Sequence, residues 1–186
     1  MSNQITFHVP GLPRGKGRAK SSSRIGRDPR TGAARVFTRH YTPEATAAYE
    51  SLVKLAAAQV MAGREPYTGA IQMHLHIVLP IPQSWSGVRQ RRAAAGHIVP
   101  TVKPDSDNAE KAIKDGCNGV VYRDDVQVVK DSKEKVYGPV PGVTVVVTFR
   151  DDLEPAQGWR RDSSATPATS ARSAAHNEQS DLLGAL

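Results

Sequence analysis

Ile71-Gln72-Met73-His74-Leu75-His76-Ile77-Val78-Leu79 alternates along its whole length. Ile71, Met73, Leu75, Ile77 and Leu79 fall on one side of an extended chain, and Gln72, His74, His76 and Val78 on the other. This period of two specifies a strand with one buried face, which Pro80 and Pro82 end. Outward from it, Gln4 to Val9 repeats the pattern with Ile5, Phe7 and Val9, and Pro10, Gly11 and Pro13 stop it. Val120 to Tyr122, Val126 to Val136 and Val143 to Phe149 read as further strands, the last two joined by a Pro- and Gly-containing turn at 138–142. Two principal helices lie between the strands. Thr42-Pro43 offers a capping hydroxyl followed by proline at the first helical position. Tyr49, Leu52, Leu55, Ala56 and Val60 then recur near helical spacing until Gly63. The second helix is expected from Asp107 to Asp115, ended by Gly116 and the Asn118-Gly119 turn, and a shorter one is expected to carry Arg89, Arg91 and Arg92. The expected fold class is α+β: a mixed, mostly antiparallel sheet of about four strands packed against two main helices.

Composition places this sheet in one domain over residues 1–150, with a tail over 151–186 expected to be disordered. Aromatics make up only 5% of the chain, so the core must be aliphatic. Residues 1–150 hold 22 Lys or Arg against 12 Asp or Glu, a balance of +10, while residues 151–186 hold 3 against 6, a balance of −3. The body is therefore more basic than the net +7 of the whole chain, which suits a partner of negative charge. Much of that charge sits in residues 14–40, which carry nine Lys or Arg and one acid, Asp28, among many Gly and Ser. That segment is expected to be a flexible basic loop, with a short strand at Arg35 to Thr38. The single cysteine, Cys117, excludes an intramolecular disulfide framework. No stretch approaches the roughly 18 consecutive apolar residues of a membrane span, and no charged-then-apolar leader opens the chain. The expected compartment is the cytoplasm.

The chemistry is concentrated in Lys103-Pro104-Asp105-Ser106-Asp107-Asn108-Ala109-Glu110-Lys111 and in Arg123-Asp124-Asp125-Val126. Asp105 and Asp107 sit two apart at a helix entrance, where the helix N-terminus favours negative charge. Asp124 and Asp125 sit at the entrance to the strand expected from Val126. If these two openings lie side by side, the carboxylates converge, and repulsion between them calls for a cation. Oxygen ligands without histidine or cysteine suit Mg²⁺ or Mn²⁺. Such an ion in a basic body fits phosphodiester hydrolysis. Lys111 lies one helical turn after Asp107, within reach of a phosphate oxygen or an attacking water. The bland alternative is that Asp107-x-x-Glu110 is only a capping box and Arg123-Asp124-Asp125 a solvated turn.

At these residues the chain resembles the RusA-type Holliday junction resolvases. Lys103, Pro104, Asp105, Asp107, Asn108, Lys111, Asp124 and Asp125 match the family's signature, and Gly11-Leu12-Pro13, Lys16, Arg18 and Tyr41-Thr42-Pro43-Glu44 resemble its phage-type members. Ser106 departs from the aliphatic residue usual there. The resemblance implies that Asp105, Asp107 and Asp125 are metal-binding carboxylates, with Asp124 a weaker candidate, and that Lys111 is the catalytic lysine. It further implies a homodimer that nicks a four-way junction in pairs, leaving 5′-phosphate and 3′-hydroxyl ends, and a phage or prophage origin.

Lys16, Arg18, Arg39 and Arg91 are the expected phosphate contacts. His74-x-His76 lacks further ligands for zinc and is read as a polar strand face. Gly15-x-Gly17 lacks a dinucleotide-binding setting, Cys117 lacks a histidine partner, and neither Trp85 nor Trp159 makes a stacking platform alone. Two other functions fit the same residues: a nuclease of other branched DNA, such as flaps or forks, and a non-catalytic nucleic-acid-binding protein.

Overall fold

Four strands hydrogen-bond in the order β1-β6-β4-β5 in the computed structural model, which describes residues 3–154 apart from the side chains of Lys20, Arg39 and His40. β1 spans Gln4–Pro10, β4 Ile71–Pro80, β5 Val128–Gly138 and β6 Gly142–Phe149. β6 lies antiparallel to both β1 and β4, whereas β4 and β5 run parallel. A parallel pair needs a crossover. Here the chain between 80 and 128 provides it, carrying α2 (Gly87–Ala94), α3 (Ser106–Cys117) and a 3-10 turn (Asp125–Gln127). The remaining helix, α1 (Glu44–Met61), crosses the same face of the sheet as α3. The α+β class and the mixed, mostly antiparallel four-stranded sheet follow the sequence reading.

The alternation of Ile71 to Leu79 is realised as expected, with all five odd-numbered side chains buried. Ile5, Phe7 and Val9 of β1 and Val143, Val145 and Val147 of β6 share that buried face. Tyr49, Val53, Ala57 and Met61 of α1 and Ala109, Ala112, Ile113 and Cys117 of α3 cover it. Leu55, expected inside, is 58% exposed, because the buried stripe of α1 runs through Val53, Ala57 and Met61. Capping of α1 also differs. Pro43 is the cap residue, the Thr42 hydroxyl makes no capping bond, and Thr46 and Ala47 N–H donate to the Pro43 carbonyl.

Three further expectations change. Residues 14–40 are not mostly loop: the strand expected at Arg35 to Thr38 lies within β3 (Ala34–Tyr41), and β2 (Lys20–Arg27) pairs with it in a separate antiparallel hairpin around an Asp28 turn. Backbone pairing supplies what the sparse apolar residues could not. Val120 to Tyr122 is a turn with isolated bridges, since Val120 and Val121 N–H both return to the Cys117 carbonyl. Finally, residues 151–154 are fastened to the body, where the Tyr67 hydroxyl donates to Asp151 at 2.7 Å and Arg150 donates twice to Asp152 at 2.7 and 2.6 Å. The rest of the expected tail, with Trp159, lies outside the described residues.

The two main helices lie against each other at Gly116. A Cβ there would lie 2.6 Å from the Val53 Cβ and 2.8 Å from the Glu50 carbonyl oxygen, neither of which can swing aside. Gly116→Ala is therefore expected to force α1 and α3 apart and to lower stability by about 1–3 kcal/mol, measured as a fall in the urea midpoint.

Candidate active site

Asp105 caps α3 with extended backbone angles, and Asp107 follows in the first turn. The loop before them is clamped to β5, where Lys135 Nζ donates to the carbonyls of Val102 and Pro104 at 2.7 and 2.9 Å. Asn108 Nδ2 reaches the Asp105 carboxylate at 3.4 Å. Asp107 is 78% exposed yet held by Lys133 of β5 at 2.7 Å, which keeps its carboxyl below the ordinary range. Lys111 is exposed one turn on, and its charge also lowers the Asp107 carboxyl. Asp105, Asp107 and Lys111 thus share the mouth of α3, as the spacing anticipated.

Asp125 does not join them. Its neighbours are Asp124 and, at the last turn of α3, Asp115 and Lys114. Seven residues of helix separate Asp107 from Lys114, about 10 Å at 1.5 Å per residue. Among the described residues no three His, Cys, Asp or Glu side chains gather closely enough to hold a metal ion. The expected convergence fails for a topological reason. The short, folded connection after Cys117 starts the next element at the helix's end, and β5 then runs back toward its beginning: Asp131 meets Lys114, Lys133 meets Glu110 and Asp107, and Lys135 meets Pro104.

Residues not anticipated for this role hold both ends in place. Glu110, read as part of a capping box, is instead buried and paired with Lys133 at 2.5 Å and with Lys114. Gln127 is buried in the turn bearing Asp125. Its Oε1 accepts from Arg123 and Asp124 N–H at 2.9 and 3.0 Å, and its Nε2 donates to the Tyr67 and Gly69 carbonyls at 2.9 and 2.8 Å. The Asp124-x-x-Gln127 spacing is a capping box, legible in the sequence. Burial first, then the adjoining Asp124 carboxylate, pushes the Asp125 carboxyl above its ordinary value.

The expected phosphate contacts separate into different roles. Lys16 is engaged with Asp115 and, at 3.6 Å, with Glu50, so it ties its segment to α3 and α1 instead of presenting a free charge. Its N–H also donates to the Asn108 carbonyl at 2.8 Å. The Gly15-x-Gly17 pair finds its use here. A Cβ on Gly15 would lie 2.9 Å from the Asn108 Cβ, and one on Gly17 would lie 2.9 Å from the Thr46 hydroxyl, so only glycine lets the segment lie this close. Arg18 and Arg91 are exposed. Arg39 pairs through its backbone with Ser22 on the hairpin, and its side chain lies outside the described residues. A groove of about 420 Å³ runs beside the α3 mouth, lined in part by Arg14, Lys16, Lys103, Asp105 and Asn108.

Elsewhere, His74 Nδ1 meets the Ser132 hydroxyl at 2.8 Å and His76 Nδ1 meets Glu134 at 2.7 Å on the outer sheet face. Trp85 packs edge-on against Tyr137, with Arg89 over its ring at 4.0 Å. Burial raises the Cys117 thiol to about 12, which removes it as a nucleophile.

Exposed carboxylates and a lysine at a helix mouth, beside a cationic groove in a basic α+β domain, define a protein built to handle a polyanionic backbone. The chain matches the family described as Endodeoxyribonuclease RusA over residues 10–148. It is also 33% identical over 148 residues to the "Uncharacterized protein YqaN" of Bacillus subtilis (strain 168), covering 77% of this chain and 94% of that one. The chain belongs to the RusA endodeoxyribonuclease family. Among the described residues no helix is long and apolar enough to cross a membrane.

Two outcomes follow from this geometry. Gln127→Leu is expected to lose about 1–3 kcal/mol of stability, because it takes their shared partner from two part-buried N–H donors and two part-buried carbonyls. In a carboxyl NMR titration, Asp107 and Asp131, each hydrogen-bonded by a lysine, should titrate below 3.8, and Asp125 above it. The depressed pair contributes stability that is present above 3.8 and lost as pH falls through the folded values. Asp125 contributes the opposite sign, with stability lost as pH rises through its raised value. An Asp125 midpoint below 3.8 would contradict its placement beside Asp124 and Asp115.

Proposed function

We propose that the protein is a cytoplasmic, divalent-metal-dependent endonuclease that resolves four-way DNA junctions by paired nicks, acting as a homodimer. One observation carries the reading: Asp105, Asp107 and Lys111 stand exposed at one helix mouth, beside a groove bearing Arg14 and Lys103. The cations hold a phosphodiester backbone in the groove. Lys111 donates to an oxygen of the phosphate brought to the mouth, where charge develops as the bond to the leaving oxygen breaks.

The carboxylates of one chain do not by themselves fit a Mg²⁺ or Mn²⁺ site, since among the described residues no three such side chains gather, with Asp125 beside the last turn of α3 and Asp107 in its first. A second copy related by a two-fold axis resolves this. It can bring its Asp125 end, with Asp124, to the first copy's Asp105 end, and the symmetry repeats the contact to give two equal sites. Two sites related by a two-fold axis suit a junction cut in two symmetric strands.

Labelled four-way junction and matched duplex, incubated with Mg²⁺ or EDTA, test the reading. Wild type should nick the junction in Mg²⁺ and spare the duplex, while Asp107→Asn and Asp125→Asn should each fall to background. Mixing the two inactive variants should restore single nicks, because half of one heterodimer's shared carboxylate sets remain intact. No rescue on mixing would sink the shared site. Equal cutting of duplex would replace the resolvase with a less selective nuclease. Junction binding without any metal-dependent nicking would favour a non-catalytic binder.

A further inference from the structure

The β2–β3 hairpin stands apart from the sheet and from the mechanism above. No ladder joins it to the four-stranded sheet, and among the described residues none of its side chains enters either hydrophobic cluster. Residues 20–41 carry six Lys or Arg against the single Asp28. Their arrangement is more informative than their number. The register pairs Arg24 with Phe37, Gly26 with Arg35 and Lys20 with Tyr41, and alternation puts these ladder positions on one face. The opposite face carries Ile25 against Val36, and Ser23 bonded to Thr38 at 2.9 Å.

On the first face the aromatic rings are open. Phe37 is 38% exposed and Tyr41 45% exposed. The Phe37 ring lies beside Gly26, where a Cβ would come within 3.1 Å of its Cε2, so glycine leaves room for the ring. Arg35 sits 5.7 Å from the Phe37 centroid and is also 3.4 Å from Asp28. Ser22, Arg24, Phe37 and Tyr41 of this face, together with Thr38 of the other, line a cavity of about 780 Å³.

From this we infer that the Arg24–Phe37–Tyr41 face of the hairpin is a stacking platform for unpaired DNA bases. The identity of the partner as DNA rests on the proposed function. In paired duplex the π-faces of the bases are covered by their neighbours, so an open aromatic surface finds a partner only where stacking is broken, as at a branch point or in a single strand. Arg24 then meets the phosphates flanking the stacked base. A second copy of the hairpin is a poor occupant, since each carries the same strong positive charge.

Fluorescence anisotropy in EDTA, where no strand is cut, tests this with three probes: an oligothymidine strand, a fully paired duplex, and a four-way junction with one unpaired 2-aminopurine at its centre. Phe37→Val combined with Tyr41→Val keeps strand propensity and touches no core residue. It should weaken oligothymidine binding by about tenfold or more per ring and abolish 2-aminopurine quenching, with duplex affinity unchanged. Phe37→Trp should retain binding, and its added fluorescence should be quenched by oligothymidine. Equal loss on duplex, or no loss on any probe, would overturn the platform. So would a change from dimer to monomer in sedimentation, which would make the face a self-association surface. Because binding is read without metal, intact stacking with no Mg²⁺-dependent nicking would remove the nuclease reading and leave the platform standing.

Discussion

Glu110 is a carboxylate on the buried side of α3, and its neutralisation fixes how the two halves of the site are held. A buried charge is tolerated only when it is paired and hydrogen-bonded. Lys133 from β5 and Lys114 from the next turn of α3 both close on it, and each also holds a second acid, Asp107 and Asp131 respectively. Where β1, β4 and β6 turn Ile, Val and Met toward the helices, the edge strand turns Asp131, Lys133 and Lys135. A one-residue slip of β5 would bring Ser132 and Glu134 to that side, setting carboxylate against carboxylate. The ion-pair chain therefore specifies register on a strand whose apolar content would not, and inward-facing charge also discourages edge-to-edge pairing with other sheets.

With β5 pinned in this register, the acids are sorted to two ends of one helix. Lys133 reaches past Glu110 to Asp107, so the same lysine that satisfies the buried charge immobilises the exposed one. At the opposite end, Gly116 lets α1 close on α3, and Gln127 sets the turn from which Asp125 projects. A change at Glu110 would loosen both the strand and the mouth, since one network serves both.

The sequence was most legible where burial acts on one residue at a time. The alternation of Ile71 to Leu79 and the span of α3 are each the product of a local period meeting one apolar face. On α1, where alanines dilute the period, the buried stripe instead runs through Val53, Ala57 and Met61 and leaves Leu55 outside. Failures came where the deciding contact is distant or between charges. Glu110 looks like any surface acid until β5 is placed, and Gly15-x-Gly17 has no meaning until the Asn108 and Thr46 side chains stand beside it. The separation of Asp125 from Asp107 was partly readable. Gly119 and the turn residues around it make the connection compact, and a compact link keeps the next element near the end of the helix it leaves. Of the hairpin only Arg35 to Thr38 is legible as a strand; β2 is not, because Gly, Ser and Arg give weak strand signals, and cross-strand backbone bonds carry no residue code.

Net charge counts every cation alike, and the fold does not. Lys16, Lys114 and Lys133 are spent on carboxylates of the body, Lys135 on two carbonyls and Arg150 on Asp152. Arg14, Arg18, Arg24, Arg91 and Lys103 instead stand exposed on the groove, the segment before the hairpin, the hairpin and α2. The first group stabilises a core too lean in aromatics to hold its edge strand by apolar packing alone. The second group stays exposed and lies on elements outside the sheet. Basicity in this protein is thus divided along the topology: Lys114 of α3 and Lys133 of β5 are paired within the scaffold, and Arg24 of the hairpin, Arg14 and Lys103 of the groove and Arg91 of α2 remain exposed.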